Sequence, residues 1–567
     1  MNRKPVSAAE AAFARAGAVL DGVPGDEAGH ARRILGEVRA RLGERLRVAL
    51  VGRISSGKST LANALLRAPL APTGALELTF NVSRFRHAEH PSLTVHFTDG
   101  AEPERHDLGH LDRLAARARE RDADLRRFLL RIDHLEVGLP NPGLADYDLV
   151  DTPGLDSSLQ DDSANALRWL GRSGDDITDL SARHASRADA LIMVFDRGLA
   201  KSDAELLADF TRAGLGGSGP VTTVGALTKV EYYWPEHPDP IAQGRRVADM
   251  MMRNAGADRL LFELRPLAGL VAAAAGTFTA DDCTDLQALA SVRPELLQSR
   301  LRLGPAFAGR DLPELPVRRD RRAALLDRFG GWGVWLSTEL IRAGCTSAEE
   351  LRAGLLERSG LTGFRELLLG HFAARAEVIG LDRVVQEVRS LERPMPPAQT
   401  PVTPPPHGGA PHDGAPHDGA PHDGAPHDGA AASGQAAGAA GIAAEAASRR
   451  AVNRAVAEVT GLAVTVHAFA ELTVLRDHYA GRLAFGTAET EELLRVLGER
   501  GRTPAERLGL PPDSDPDALR KRALTRIEHW ATTELTRVHS GRTRVAAGVI
   551  RRAYEVLLDQ LRVEENA

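Results

Sequence analysis

Cysteine is nearly absent. The 567-residue chain holds two, Cys283 and Cys345, far apart and in no metal-ligand spacing. A disulfide framework is excluded, and a reducing cytoplasm fits best. Long apolar runs are missing too. No stretch of ~18 uncharged apolar residues occurs, and the most apolar segment, 267–277, is too short to span a bilayer. Any membrane contact is therefore expected to be peripheral. The N-terminal MNRKPVSAAEAAFARAG lacks a continuous apolar core and carries Glu10, so it does not read as a secretory signal. An excess of basic charge is also lacking. The formal net charge is −6, which gives no reason to expect nucleic acid as the main partner.

The remaining composition, 43% hydrophobic and 26% charged, is that of a soluble globular protein. Its length predicts two to four domains. One boundary is plain. From Pro394 to Gly441 proline and glycine recur, and GAPHD repeats four times in tandem. Such a segment can neither bury a core nor propagate a helix. Its histidines His412, His417, His422 and His427 are candidate ligands for a divalent metal, but the composition favours a flexible tether.

Residues 47–275 alternate short β-branched runs (LRVALVG, LTVHFTDG, YDLVD, ALIMVF, VTTVGAL) with helical patterns, which predicts an α/β sheet. Residues 1–46 read as amphipathic helices, 276–393 as a helical bundle or stalk, and 442–567 as a further helical region. Ser347 with Glu350 forms a capping-box start, and Asp515-Pro516 reads as an N-cap followed by proline at the first helical position.

The chemistry is concentrated in Gly52-Arg-Ile-Ser55-Ser56-Gly57-Lys58-Ser59-Thr60, placed between a strand and a helix. In that context glycines let backbone N–H groups turn toward phosphates, and the helix N-terminus adds a positive field. Lys58 reaches the outer phosphates and the Ser59 hydroxyl can ligate Mg²⁺. The loop alone does not choose between a kinase, an ATPase and a GTPase. Downstream, a strand ends in Asp151-Thr-Pro-Gly154. The acid can hold Mg²⁺ through water, and the Gly154 amide can sense a γ-phosphate, which a kinase would not need. Another strand ends in Thr228-Lys229-Val-Glu231, where guanine-specific proteins carry a Lys and, two residues on, an acid that accepts from guanine N1 and N2. Glu231 is one methylene longer than the usual Asp. Ala268, in Arg265-Pro-Leu-Ala268, stands where a backbone N–H usually meets guanine O6.

These ordered elements resemble the GTPase superfamily, and in detail the bacterial dynamin-like proteins, with the Ini-type GTPases of actinobacteria as the nearest comparison. SSGKSTLANALL is similar to their phosphate loop, and Leu70 to Thr79 resembles their first switch. The resemblance covers about 46–275. It implies an α/β P-loop GTPase domain followed by an α-helical bundle or stalk, and Mg²⁺-dependent hydrolysis of GTP. By the same resemblance Thr79 would bind Mg²⁺ and orient the attacking water. Ser55 would help hold a monovalent cation, K⁺ or Na⁺, that stands in for an arginine finger. The expected partner is a second G domain, of this chain or of a related GTPase. The expected location is the cytoplasm, extending to peripheral contact with the inner face of the cell membrane. The alternative is a soluble regulatory switch or scaffold that gates a protein partner.

Overall fold

The computed structural model describes residues 4–71, 81–115, 123–153, 188–196, 219–254, 257–372, 375–392, 430–462, 466–501, 503–535 and 541–565. They gather into two compact units, Met1–Glu44 with Leu381–Val466, and Arg45–Gly380 with His467–Ala567. The segments 276–393 and 442–567, expected as separate helical regions, thus each divide between the units.

The first unit is helical. Helix α1 (Lys4–Leu20) is followed by α2 (Asp26–Ala40) across Gly22 and Gly25, both at positive φ. Ala9, Ala12, Ala16 and Leu20 recur at helical spacing on one buried face of α1. Ion pairs Arg15–Glu458 (2.7 Å) and Arg449–Glu27 (3.1 Å) tie these helices to the long helix Ala430–Thr460. That helix begins inside the segment read as a tether. The reason is alanine: AAASGQAAGAAGIAAEAA combines the best helix former with no proline.

The second unit is built on a nine-stranded sheet in the order β4-β3-β5-β2-β6-β1-β7-β8-β9. The strands are β1 (Leu46–Gly52), β2 (Val82–His87), β3 (Ser92–Phe97), β4 (Glu104–His106), β5 (Ile132–Leu139), β6 (Tyr147–Asp151), β7 (Ala190–Asp196), β8 (Thr223–Thr228) and β9 (Leu264–Pro266). From β6 to β9 all neighbours pair in parallel. Their near-continuous apolar runs suit strands covered on both faces. Strand β2 reverses direction against β6 and opens the second wing. It alternates poorly because Arg84 and Arg86 lie within it. Both are partnered: Arg84 Nε donates to Asp148 (2.9 Å) and Arg86 to Glu136 (3.1 Å).

Helix α3 (Lys58–Leu66) leaves the tip of β1, and α4 (Gly269–Gly276) packs beside it. The predicted capping box at Ser347 and Glu350 starts α5 (Ala348–Arg358), and α6 (Leu361–His371) follows after Gly360. Beyond 467 come α7 (His467–Tyr479), α8 (Pro516–Leu535), which starts at the predicted proline, and α9 (Gly541–Glu565). Their apolar faces, including Leu475, Trp530 and Leu557, join the same core as Leu50 and Phe85 of the sheet. Among the described residues, no helix is long and apolar enough to cross a membrane.

His371 fastens the C-terminal end of α6. Its ring stacks on Phe262 with centroids 3.9 Å apart, and Nε2 lies 3.0 Å from the Pro220 carbonyl, to which the neutral tautomer donates. Burial holds the imidazole down at about 4; Glu499 opposes that shift and Arg375 adds to it. In the unfolded chain the group titrates near 6.5. Its contribution to stability is therefore whole above pH 6.5 and is withdrawn as pH falls toward 4. Between pH 7 and 5 it should cost the wild type about 2 kcal/mol. His371→Asn should show a flatter pH dependence over that range in denaturant melts. Equal slopes for the two proteins would rule out a buried neutral imidazole.

Candidate functional site

The predicted phosphate-loop residues converge at the carboxyl ends of β1, β6, β7 and β8, where an open parallel sheet places its ligand. Gly52 ends β1 against β7. A Cβ there would sit 2.5 Å from the Val194 carbonyl oxygen, so no side chain fits. Ser55 and Gly57 adopt positive φ (59° and 94°), which curls the backbone before α3 begins at Lys58. Ser55 is exposed, Thr60 half-buried, and Ser56 buried with its Oγ unpartnered.

Lys58 is buried and donates to the carbonyls of Gly52 (3.0 Å) and Arg53 (2.7 Å). Burial lowers its ammonium to about 8, with Asp151 pulling the other way. The Ser59 hydroxyl donates to Asp151 Oδ2 at 3.3 Å. Asp151 is fully buried, and its Oδ1 has no hydrogen-bond partner. Burial raises this carboxyl to about 6, against the lowering effects of Lys58 and the Ser59 hydrogen bond. A hydroxyl beside a carboxylate with one unsatisfied buried oxygen is a donor set that fits a hard divalent cation such as Mg²⁺, held directly by Ser59 and through water by Asp151.

Thr228 joins the loop to the sheet. Its hydroxyl is within hydrogen-bond reach of the Phe195 carbonyl (3.0 Å) and, more closely, of the Ser56 carbonyl. Lys229 follows at φ 58°, its Nζ 3.0 Å from Asp196 at the end of β7. Glu231 is buried. Its Oε1 accepts from the Leu270 amide at the start of α4 (3.2 Å), and Oε2 has no partner. Burial raises the carboxyl to about 7 despite those hydrogen bonds and Lys229.

Ala268 departs from expectation. Its N–H donates to the Ser359 carbonyl at 3.0 Å, so it is committed and not free for a purine oxygen. The acceptor lies about ninety residues downstream, which no local pattern signals. Asp196 is a second residue the sequence reading missed; it ends an apolar strand at the level of Thr228. Thr79 and Gly154 lie outside the described residues.

Residues 48–210 match the model of the Dynamin family. The isoniazid-induced protein IniC of Mycobacterium tuberculosis is 28% identical over 497 residues, covering 88% of this chain and 86% of that protein. Dynamin-like protein 2 of Campylobacter jejuni is 32% identical over 127 residues, 22% of this chain and 19% of its own length. A solved chain from an oligomerised bacterial dynamin pair aligns over this whole chain and 75% of its own, at 11% identity and a TM-score of 0.31, too low to bear on the fold.

Lys58→Ala should weaken binding of a fluorescent guanine nucleotide roughly a hundredfold, because the charge-assisted contacts to the outer phosphates have no substitute nearby. Undiminished affinity by equilibrium titration would remove Lys58 from the phosphate site.

Proposed function

We propose that this chain, similar to the Dynamin family over residues 48–210 and to IniC over most of its length, is a dynamin-like GTPase whose Mg²⁺-dependent hydrolysis of GTP at the β1–α3 loop is coupled to pairing of G domains and to peripheral membrane contact. The observation that carries the catalytic part is the convergence of Lys58, Ser59 and Asp151 around one buried, under-partnered carboxylate. Lys58 exchanges its two loop carbonyls for phosphate oxygens. Ser59 and Asp151 hold the cation, which supplies neutralisation of the charge that develops between the β- and γ-phosphates. Thr79 orients the attacking water by resemblance to the first switch. Ser55, at positive φ and exposed within the loop, is the candidate holder of K⁺ or Na⁺ by resemblance.

Thr228, Lys229 and Glu231 form the base end. Lys229 packs its stem along the purine, and Glu231 accepts from guanine N1 and N2 with the oxygen that Leu270 leaves unbound. Adenine has no such donors, so guanine is preferred. The domain bounds proposed are 47–275 for the GTPase domain, with helical regions on either side of the GAPHD tether. Membrane contact is carried over from the Dynamin-family match of residues 48–210 alone.

In competition against a labelled GTP analogue, excess ATP should displace it at least a hundredfold less effectively than GTP. Equal competition would sink the guanine assignment. Replacing K⁺ and Na⁺ with choline should lower turnover at constant Mg²⁺, and Ser55→Ala should abolish that dependence; turnover indifferent to the cation removes Ser55 from catalysis. Co-sedimentation with anionic vesicles that rises with a non-hydrolysable GTP analogue is the expected membrane result. Its absence, with GTP hydrolysis intact, would replace the membrane reading with the soluble switch.

A further inference from the structure

The loop that follows β9 is held by a turn about ninety residues downstream of it. Leu267 N–H donates to the Leu227 carbonyl (2.8 Å), within the sheet, and Leu270 N–H to Glu231. The amide between them, Ala268, is bound to the Ser359 carbonyl at 3.0 Å. Ser359 is itself fully buried and ends α5; its hydroxyl donates to the Leu356 carbonyl and accepts from the Leu361 amide, fixing the turn into α6. The next residue, Gly360, has φ 83°, and a Cβ on it would lie 2.7 Å from the Pro266 carbonyl oxygen. Three residues later, in α6, the Gly363 carbonyl accepts from Arg265 Nη1 (3.3 Å), whose other nitrogens grip Glu263. Thus Arg265 and Ala268 are bonded to one turn, residues 359–363, and the Pro266 carbonyl lies against its Gly360.

We propose that the Ser359–Gly360 turn is a positioning element for base recognition: it sets the height of the 265–270 loop, and through the Leu270 amide the aim of the Glu231 carboxylate. This rests on the reading of Glu231 as the guanine acceptor. The physical case is one of leverage and clearance. Glu231 is anchored at only one oxygen, by an amide on this loop. A shift of the loop therefore moves the carboxylate, while the phosphate loop, held separately by Thr228 and the Gly52–Val194 contact, stays in place. Gly360 leaves no clearance for a methyl group, so the loop's position is fixed by the absence of a side chain there.

The test is steady-state hydrolysis of GTP and ATP by the full chain carrying Gly360→Ala, and separately Arg265→Gln, with thermal melts alongside. Gly360→Ala should raise KM for GTP about tenfold with kcat within about twofold, and lower the GTP-over-ATP ratio of kcat/KM by a similar factor. Arg265→Gln introduces no backbone strain and should move the same two quantities in the same direction by about threefold, which keeps the idea testable if the alanine variant does not fold. Unchanged KM and base preference in folded variants would overturn the proposal. So would equal losses with GTP and ATP, or a fall in kcat at constant KM, which are the marks of a merely structural role. A wild type without guanine preference, measured first, would instead remove the Glu231 assignment on which the proposal stands.

Discussion

The site depends on how closely the phosphate loop can approach the sheet. Gly52 lets β1 pass against the Val194 carbonyl of β7, where even a methyl group would collide. The hydroxyl of Thr228, buried at the end of β8, then holds the Ser56 carbonyl down against the same strand ends. With one side chain removed and one hydroxyl placed, the loop's curl is fixed before any ligand arrives. Gly57 completes the arrangement: at φ 94° any side chain would be strained, and a Cβ would lie 3.1 Å from the Thr228 hydroxyl oxygen just before α3 begins at Lys58. Preorganisation of this kind lets oriented amides act on a polyanion without being reordered first.

That rigidity sets the electrostatics. Lys58, Asp151 and Glu231 are buried by the strands that position them, and burial shifts each toward its neutral form, to about 8, about 6 and about 7. In the function proposed above, a nucleotide with its cation would supply the opposite charges each group needs: phosphate oxygens to the lysine, a metal to Asp151, ring N–H groups to Glu231. The desolvation already incurred by the fold makes those interactions stronger than the same pairs would be in water.

Much of this was readable from residues alone. The strand–loop–helix at Val51 to Leu66, the acid ending YDLVD and the Thr-Lys ending of β8 are short local patterns, and each lands at the same end of the sheet. Strands β2 and β5 were not singled out. Their polar positions, Arg84, Arg86 and Glu136, look like surface until Asp148 and one another pair them. The helix from Ala430 was hidden by the repeats beside it, whose proline pattern stops just short of the alanine run. Ala268 failed for a different reason. Its amide partner comes from Ser359, and a hydrogen bond between residues so distant in sequence leaves no periodicity, spacing or composition to read.

The same separation gives α6 its place in the unit. At its N-terminal end the helix is bonded to the loop that carries Ala268; at its C-terminal end His371 is stacked on Phe262 and bonded to Pro220, just ahead of β8. Four residues on, Arg375 pairs with Glu499 (2.6 Å) and donates to the Leu497 carbonyl, and Glu499 accepts from the Tyr479 hydroxyl. An eleven-residue helix is about 16 Å of stiff rod. Its two ends therefore cannot be displaced independently. A shift of the loop at one end must be absorbed either by the Phe262–His371 stack or by the Arg375–Glu499 pair, and the latter sits on the C-terminal helices. These fastenings make α6 one continuous path of packed and bonded groups from the 265–270 loop to the helices beyond residue 467. Coupling along such a path requires two arrangements of the rod, each favoured by a different ligand state. The backbone turn at Ser359–Gly360 is where that path begins, because a carbonyl and the lack of a side chain there set the position of the 265–270 loop.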